Sequence, residues 1–298
     1  MKIFKNKRKY YFQSLLIVLM TISGIFSCKT SSTGPSTSTT TTFTPPAPQI
    51  EKIDSINGDT IKLSDGAFIL SNNAWGYSCN LDECYQAIIL YTDDSYGWEW
   101  RRDTTNDIDP NYPEVICGTK PWGTQTDVTI FPIRIQDMNS FEADMDIGYG
   151  ATGDNWNLAF EFWLTAQKPG GNNVESSITD EVMIWLGWGA THDGGVEEQD
   201  VIVDGENTYD YAHHYPEGGG WNWNYHQFRI SGEQRIPSEI DFKLFIDYLQ
   251  QKYSRISDTL WVSGMELGNE YWDFTEGACT VKSLSYTVNG ETATSGAD

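Results

Sequence analysis

The chain is poor in cysteine, histidine and basic side chains, with five Cys, four His and nineteen Lys plus Arg among 298 residues. Each shortage excludes something. Nineteen basic against forty-two acidic groups give a formal net charge of −23, so the surface should repel nucleic acid and other polyanions. Neither the cysteine spacing nor the scattered histidines make a tetrahedral zinc set. His213 and His214 are adjacent, and neighbours on a strand point to opposite faces, so the two cannot readily hold one ion. The acidic stretch 103–109 is similar to a calcium loop but lacks the glycine and closing glutamate of the EF-hand pattern. Gly218-Gly219-Gly220 neither follows a strand nor opens a helix, so it is no phosphate loop. No metal and no cofactor is expected. Solenoid and propeller periods are missing too. The apolar stretch 15–26 falls short of the about 20 residues that a membrane-spanning helix needs.

What is present begins at the N-terminus. Lys2, Lys5, Lys7, Arg8 and Lys9 precede that apolar stretch, the layout of an export signal over 1–27. Ile25-Phe26-Ser27-Cys28 looks like a lipobox, which would leave Cys28 as a lipidated first residue of an outer-membrane lipoprotein. The Ser/Thr/Pro-rich tract 28–49 cannot build a core and reads as a tether. Cleavage would remove five basic residues and no acidic one, leaving fourteen against forty-two, or −28. Such a body favours a neutral or cationic partner, and a neutral polysaccharide fits. The remaining segment, 50–298, has the length of one β-sandwich domain. All twelve tryptophans lie in it. With Cys28 lipidated, Cys79, Cys84, Cys117 and Cys279 remain, an even number for an exported protein, and three pairings are open. Cys79–Cys84 with Cys117–Cys279 is favoured, because the first two are close enough in sequence to clip a loop.

Strand-like runs recur at 60–63, 67–70, 85–91, 141–147, 157–164, 181–186, 201–203, 208–212, 223–230, 259–267 and 279–288, separated by Gly-, Asn- and Asp-rich loops. This is an all-β pattern. One helix is expected over 238–253, where Phe242, Phe245, Ile246 and Leu249 recur at helical spacing after Pro237-Ser238, with Asp241 three residues on.

Three of these strands carry an acid opposite an apolar row. In 181–186 the period of two puts Glu181, Met183 and Trp185 on one face and Val182, Ile184 and Leu186 on the other. In 157–164, Asn157, Ala159, Glu161 and Trp163 oppose Leu158, Phe160, Phe162 and Leu164. Around 261–272, Glu266, Gly268 and Glu270 share a face. A carboxylate beside tryptophan on a well-packed strand suits a surface that binds and cuts sugar, chemistry that needs two carboxyl groups about 5–5.5 Å apart if configuration is retained.

At these residues the chain resembles glycoside hydrolase family 12, the small jelly-roll endoglucanases and xyloglucanases. The family's Glu-x-Met-Ile-Trp strand is matched by Glu181, Met183, Ile184 and Trp185. Its Gly-Thr-Glu near the C-terminus is matched by Gly268-Asn269-Glu270, with Asn for Thr. Asn72-Asn73-Ala74-Trp75-Gly76, Tyr112-Pro113-Glu114 leading to Gly118, and the Asn-x-Ala-x-acid strand with Glu161 in place of Asp complete the set in family order from about residue 68. The resemblance implies a sandwich of two antiparallel sheets with a concave substrate cleft and one packed helix. It implies Glu181 as nucleophile, Glu270 as acid/base and Glu161 as a supporting carboxylate. Asn73, Trp75, Met183 and Trp185 would meet the substrate, a β-glucan such as xyloglucan. Glu266, without the preceding Gly-Asn, takes a solvent or supporting role. Trp122, Trp156, Trp188, Trp221, Trp223 and Trp272 are further aromatic candidates that core packing would explain equally well. The partners expected are the glucan and, through Cys28, a membrane, with the enzyme acting as a monomer.

Overall fold

Alternating apolar residues drive the chain into two stacked sheets. The computed structural model describes residues 49–54, 59–74, 84–103, 110–215 and 222–296, all within one compact unit spanning 40–298. The export signal, the lipobox, most of the tether, Trp75, Cys79, the stretch 104–109, Gly218-Gly219-Gly220 and Trp221 lie outside the described residues.

The first sheet runs β1 (Gln49–Asp54), β4 (Cys84–Tyr91), β5 (Tyr96–Arg102), β17 (Thr275–Val288), β8 (Phe141–Thr152) and β14 (Glu239–Asp241), with β18 (Glu291–Thr294) paired to β17. The second runs β11 (Glu198–Asp204), β12 (Asn207–His214), β13 (Asn224–Ile230), β10 (Ile178–Trp188), β9 (Asn157–Thr165), β16 (Gly264–Gly268), β6 (Glu114–Gly118), β3 (Phe68–Ser71) and β2 (Thr60–Leu63), with β15 (Trp261–Val262) and β7 (Ile133–Arg134) attached beside β9. The pairs are antiparallel apart from β10 and β13, which run parallel with Glu181 opposite Tyr225. The hairpin β11–β12 lies between them in sequence and returns the chain in the direction of β10.

The inner faces meet in one core. Phe160 and Phe162 of β9, Val182, Ile184 and Leu186 of β10, and Met265 and Leu267 of β16 pack with Trp98, Val281 and Tyr286 of the opposite sheet. Fully burying side chains of this size stabilises the fold by about 1.5–3 kcal/mol each, which fixes the register, because a one-residue slip would turn the acids of β9, β10 and β16 inward. The helix α1 (Phe242–Lys252) buries Phe242, Phe245, Ile246 and Leu249 on the same core. It starts later than its sequence suggests. Glu239–Asp241 pairs with Glu142–Asp144 of β8 as a strand, and Asp241 then caps the helix by accepting from the Lys243 amide at 2.9 Å.

One expectation is overturned. Cys117 on β6 and Cys279 on β17 are free buried thiols on opposing sheets, not a disulfide. Stacked sheets lie about 10 Å apart, whereas a disulfide draws its Cα atoms to roughly 4.4–6.8 Å. Cys84 is disulfide-bonded.

Candidate active site

The face of the second sheet turned away from the core gathers the acids. Glu181 stands on β10, and its Oε2 accepts the indole N–H of Trp223 at 2.5 Å. It also takes a hydrogen bond from Glu161 on β9, which lies diagonal to it because Glu161 pairs with Met183. Burial, together with the charges of Glu266 and Glu181, holds the Glu161 carboxyl well above the usual carboxylate range, which makes Glu161 the donor of the two. Burial lifts Glu181 to about 7, with the two donors pulling the other way and the charge of Glu270 adding to the rise. Tyr225, on the paired strand β13, feels the charges of Glu270, Glu181 and Glu161 and donates its hydroxyl to the Met183 sulfur at 3.3 Å.

Glu270 follows the end of β16 and is clamped by Asn157 at the start of β9. The Asn157 side-chain amide donates to Glu270 Oε2 at 2.6 Å, the Glu270 amide donates to Asn157 Oδ1 at 3.1 Å, and the Asn157 amide donates to the Glu270 carbonyl at 2.9 Å. Burial lifts this carboxyl to about 7, offset in part by the Asn157 donor. Gly268 of the Gly-Asn-Glu stretch is glycine for a steric reason: a Cβ there would sit 2.8 Å from both the Tyr112 ring and the Pro113 carbonyl. Asn269, which stands where the family pattern has Thr, is fully buried and accepts the Trp98 indole N–H from the opposite sheet. It faces the core and anchors the turn that carries Glu270, away from both carboxyls.

The remaining expected residues are placed as follows. Asn73 donates to Glu114 Oε1 at 2.9 Å. Met183 and Trp185 are 3% and 2% exposed, packed with Tyr112 and Ala159. The Trp185 face is covered by the His192 imidazole, 4.9 Å away at 15°, and His192 in turn lies 4.3 Å from Trp272. Trp185 thus underpins the surface, with no open ring face for a sugar. Among the described tryptophans the exposed one is Trp122, 40% exposed, set edge-on to Trp163 at 4.8 Å, which meets Trp223 edge-on at 5.4 Å. Glu266 is buried, accepting Trp163 Nε1 at 3.0 Å and pairing with Lys120 at 2.8 Å, so of its two expected roles only the supporting one fits. His213 packs on His226 while His214 stacks on Tyr225, which puts the two on opposite faces.

Asn157, Glu114 and Lys120 are part of this arrangement without having been expected in it. Asn157 shares a strand face with Glu161, and Glu114 lies in the Tyr-Pro-Glu stretch, so both carried a faint signal. Lys120, in a loop after β6, carried none.

Trp223→Phe removes a donor to a charged acceptor, an interaction worth roughly 1.5–3 kcal/mol. Its kcat/KM at mildly acidic pH should fall about tenfold or more, since Glu181 would then protonate more readily, and steady-state kinetics with a soluble glucan would read this.

Two carboxyls lifted toward neutrality on an aromatic-lined face of a β-sandwich define a carbohydrate-cleaving site. The family model described as "Glycosyl hydrolase family 12" matches residues 66–289, and the chain belongs to that family and is a glycoside hydrolase. It is 27% identical over 236 residues to Endoglucanase S of Pectobacterium parmentieri, covering 76% of this chain and 86% of that one. Its fold is similar to that of a family 12 xyloglucanase from Bacillus licheniformis, at TM-score 0.67 and 23% identity over 80% of this chain and 100% of that one. It is also similar to endoglucanase Cel12A from Rhodothermus marinus, at TM-score 0.66 and 24% identity, covering 82% and 100% respectively.

Proposed function

We propose that the protein is a retaining endo-β-1,4-glucanase acting on xyloglucan or a related β-glucan. The observation that carries this reading is the unequal treatment of two half-buried carboxyls. Glu181 receives hydrogen bonds from Trp223 and Glu161 that favour its ionised form, while Glu270 rests on Asn157 alone. Glu181 is then the carboxylate that attacks the anomeric carbon, and Glu270 the acid whose proton goes to the departing glycosidic oxygen. In the second step Glu270, now ionised, takes a proton from water as the water oxygen displaces Glu181. A sugar hydroxyl in place of that water would give transglycosylation at the same site.

The choice of xyloglucan rests on an exported, tethered enzyme meeting soluble decorated chains. A Cys28 lipid anchor in the outer membrane and the Ser/Thr/Pro-rich tether after it belong to this proposal. Trp122 offers the exposed ring for a sugar face, and the strongly negative body suits a neutral chain.

The full-length protein should release reducing ends from at least one of xyloglucan, mixed-linkage glucan and carboxymethyl cellulose, the fastest naming the preferred backbone. Binding without release from any of them would overturn the enzyme reading in favour of a glycan-binding protein. The pH profile of kcat/KM should be a narrow bell near neutrality. Glu181 works deprotonated, so the rate falls as pH drops below about 7, and Glu270 works protonated, so the rate falls as pH rises past about 7. The limbs report the pair's joint titration.

A further inference from the structure

Five carboxyls, Glu114, Glu161, Glu181, Glu266 and Glu270, converge in and around this site, and among the described residues a single cation, Lys120, forms ion pairs with any of them. Like charges this close cannot all ionise. The cation is placed to decide which ones do. Its Nζ lies 2.8 Å from both oxygens of Glu114 and 2.8 Å from Glu266 Oε2. Glu266 is paired across β16 and β9 with Glu161, and Glu161 donates to Glu181. In the other direction, Glu114 accepts from Asn73. One chain of polar contacts and paired strand positions therefore runs from Asn73 to Glu181 with Lys120 in the middle.

A plain structural role does not account for this arrangement. The loop carrying Lys120 is already tied down by backbone bonds, Lys120 N–H to the Thr124 carbonyl at 2.8 Å and Thr119 N–H to the Ser263 carbonyl at 3.1 Å. A buried cation outnumbered by acids is also a poor stabiliser, because desolvation offsets much of its attraction.

We propose that Lys120 is a positioning residue for the reaction: seated between Glu114 and Glu266 beside the row, its charge favours the carboxylate form of Glu181, and through Glu114 it fixes Asn73 at the sugar-binding end. The proposal rests on Glu181 being the nucleophile. Groups facing the row act in the expected directions. Lys120 favours ionisation of Glu181 and Glu161, and Glu266 opposes that of Glu161 and Glu114. Burial holds Glu114 up at about 8, with Lys120 pulling the other way and Glu266 adding to the rise. Glu270 is set by burial and Asn157, and Tyr112 and Tyr225 stay neutral. The acid/base is thus insulated from Lys120 while the nucleophile is not.

The test is a carbon-13 NMR titration of glutamate side-chain carboxyls in the full-length protein, with Glu181 assigned by its disappearance in Glu181→Gln. This readout needs no activity. Lys120→Met should raise the Glu181 midpoint by about one pH unit, shifting the acidic limb of kcat/KM with it and leaving the alkaline limb in place, while Lys120→Arg restores the parent value. KM should rise in Lys120→Met and recover in Lys120→Arg, through Asn73. Lys120→Gln, which keeps a polar donor beside Glu114 and Glu266 and drops only the charge, should raise the same midpoint, and it decides the matter alone if Lys120→Met does not fold. A Glu181 midpoint unchanged in the folded variants overturns the proposal. Sugar release that survives Glu181→Gln overturns the nucleophile reading instead, and the two failures are told apart because one is read from the titration and the other from the product.

Discussion

Glu181→Gln should lower glucan hydrolysis on the order of 10⁴-fold or more while the protein stays folded. The amide is isosteric, its carbonyl oxygen can still accept the Trp223 indole N–H, and the inner face of β10 is untouched, so the melting temperature should change little. What disappears, on the proposed mechanism, is the nucleophile. A charge-relief effect works in the opposite direction, since removing one carboxylate from a crowded row relaxes its neighbours, so a loss of activity cannot be ascribed to instability. Retention adds a sharper check. Glu181→Ala supplied with azide should recover turnover and yield a glycosyl azide of inverted configuration, because the small anion attacks from the side the carboxylate occupied. Product inverted in the parent enzyme, seen by NMR in the first minutes of reaction, would refute the two-step scheme.

The second large effect is expected at Glu270. Glu270→Gln preserves the Asn157 clamp in outline but cannot give a proton, and general acid catalysis contributes about 10²–10⁴-fold. Natural glucans, whose leaving oxygen is basic, should lose that full factor. An aryl β-glycoside with an acidic phenol leaves without help and should lose far less in its first step. The alkaline limb of the pH profile should vanish, because the group whose deprotonation causes it is gone. Equal losses on both substrates would point to a role other than proton donation.

Much of the architecture was legible in residue order. The alternation in 181–186 assigns Val182, Ile184 and Leu186 to the core and Met183 to the opposite face, and they lie there because a strand has a period of two whatever it pairs with. The helix was legible from its apolar spacing, though its start was not. Whether Glu239–Asp241 joins a helix or a sheet depends on β8 being alongside, nearly a hundred residues earlier. Tyr96–Arg102 and Glu114–Gly118 are strands beyond those expected. Tyr96, Trp98 and Trp100 alternate cleanly and could have been read; Glu114–Gly118 is buried throughout, so it shows no alternation.

The candidate site divides along the same line. Sequence by itself determined which acids stand opposite an apolar row and which glycine precedes Glu270, because these are local consequences of backbone period and steric room. Tertiary structure alone decided that Glu114 and Glu266, from two strands, would share one lysine, that Glu161 would lie beside Glu266 with its carboxyl held well above the usual range, and that Asn157 would clamp Glu270. It also decided that Trp185 would lie under His192 and that Cys117 and Cys279 would stay apart on facing sheets. The physical reason is range. Face and period are set by covalent neighbours, whereas protonation, hydrogen-bond partnership and disulfide reach depend on distances of a few ångströms between segments that only sheet pairing and stacking bring together.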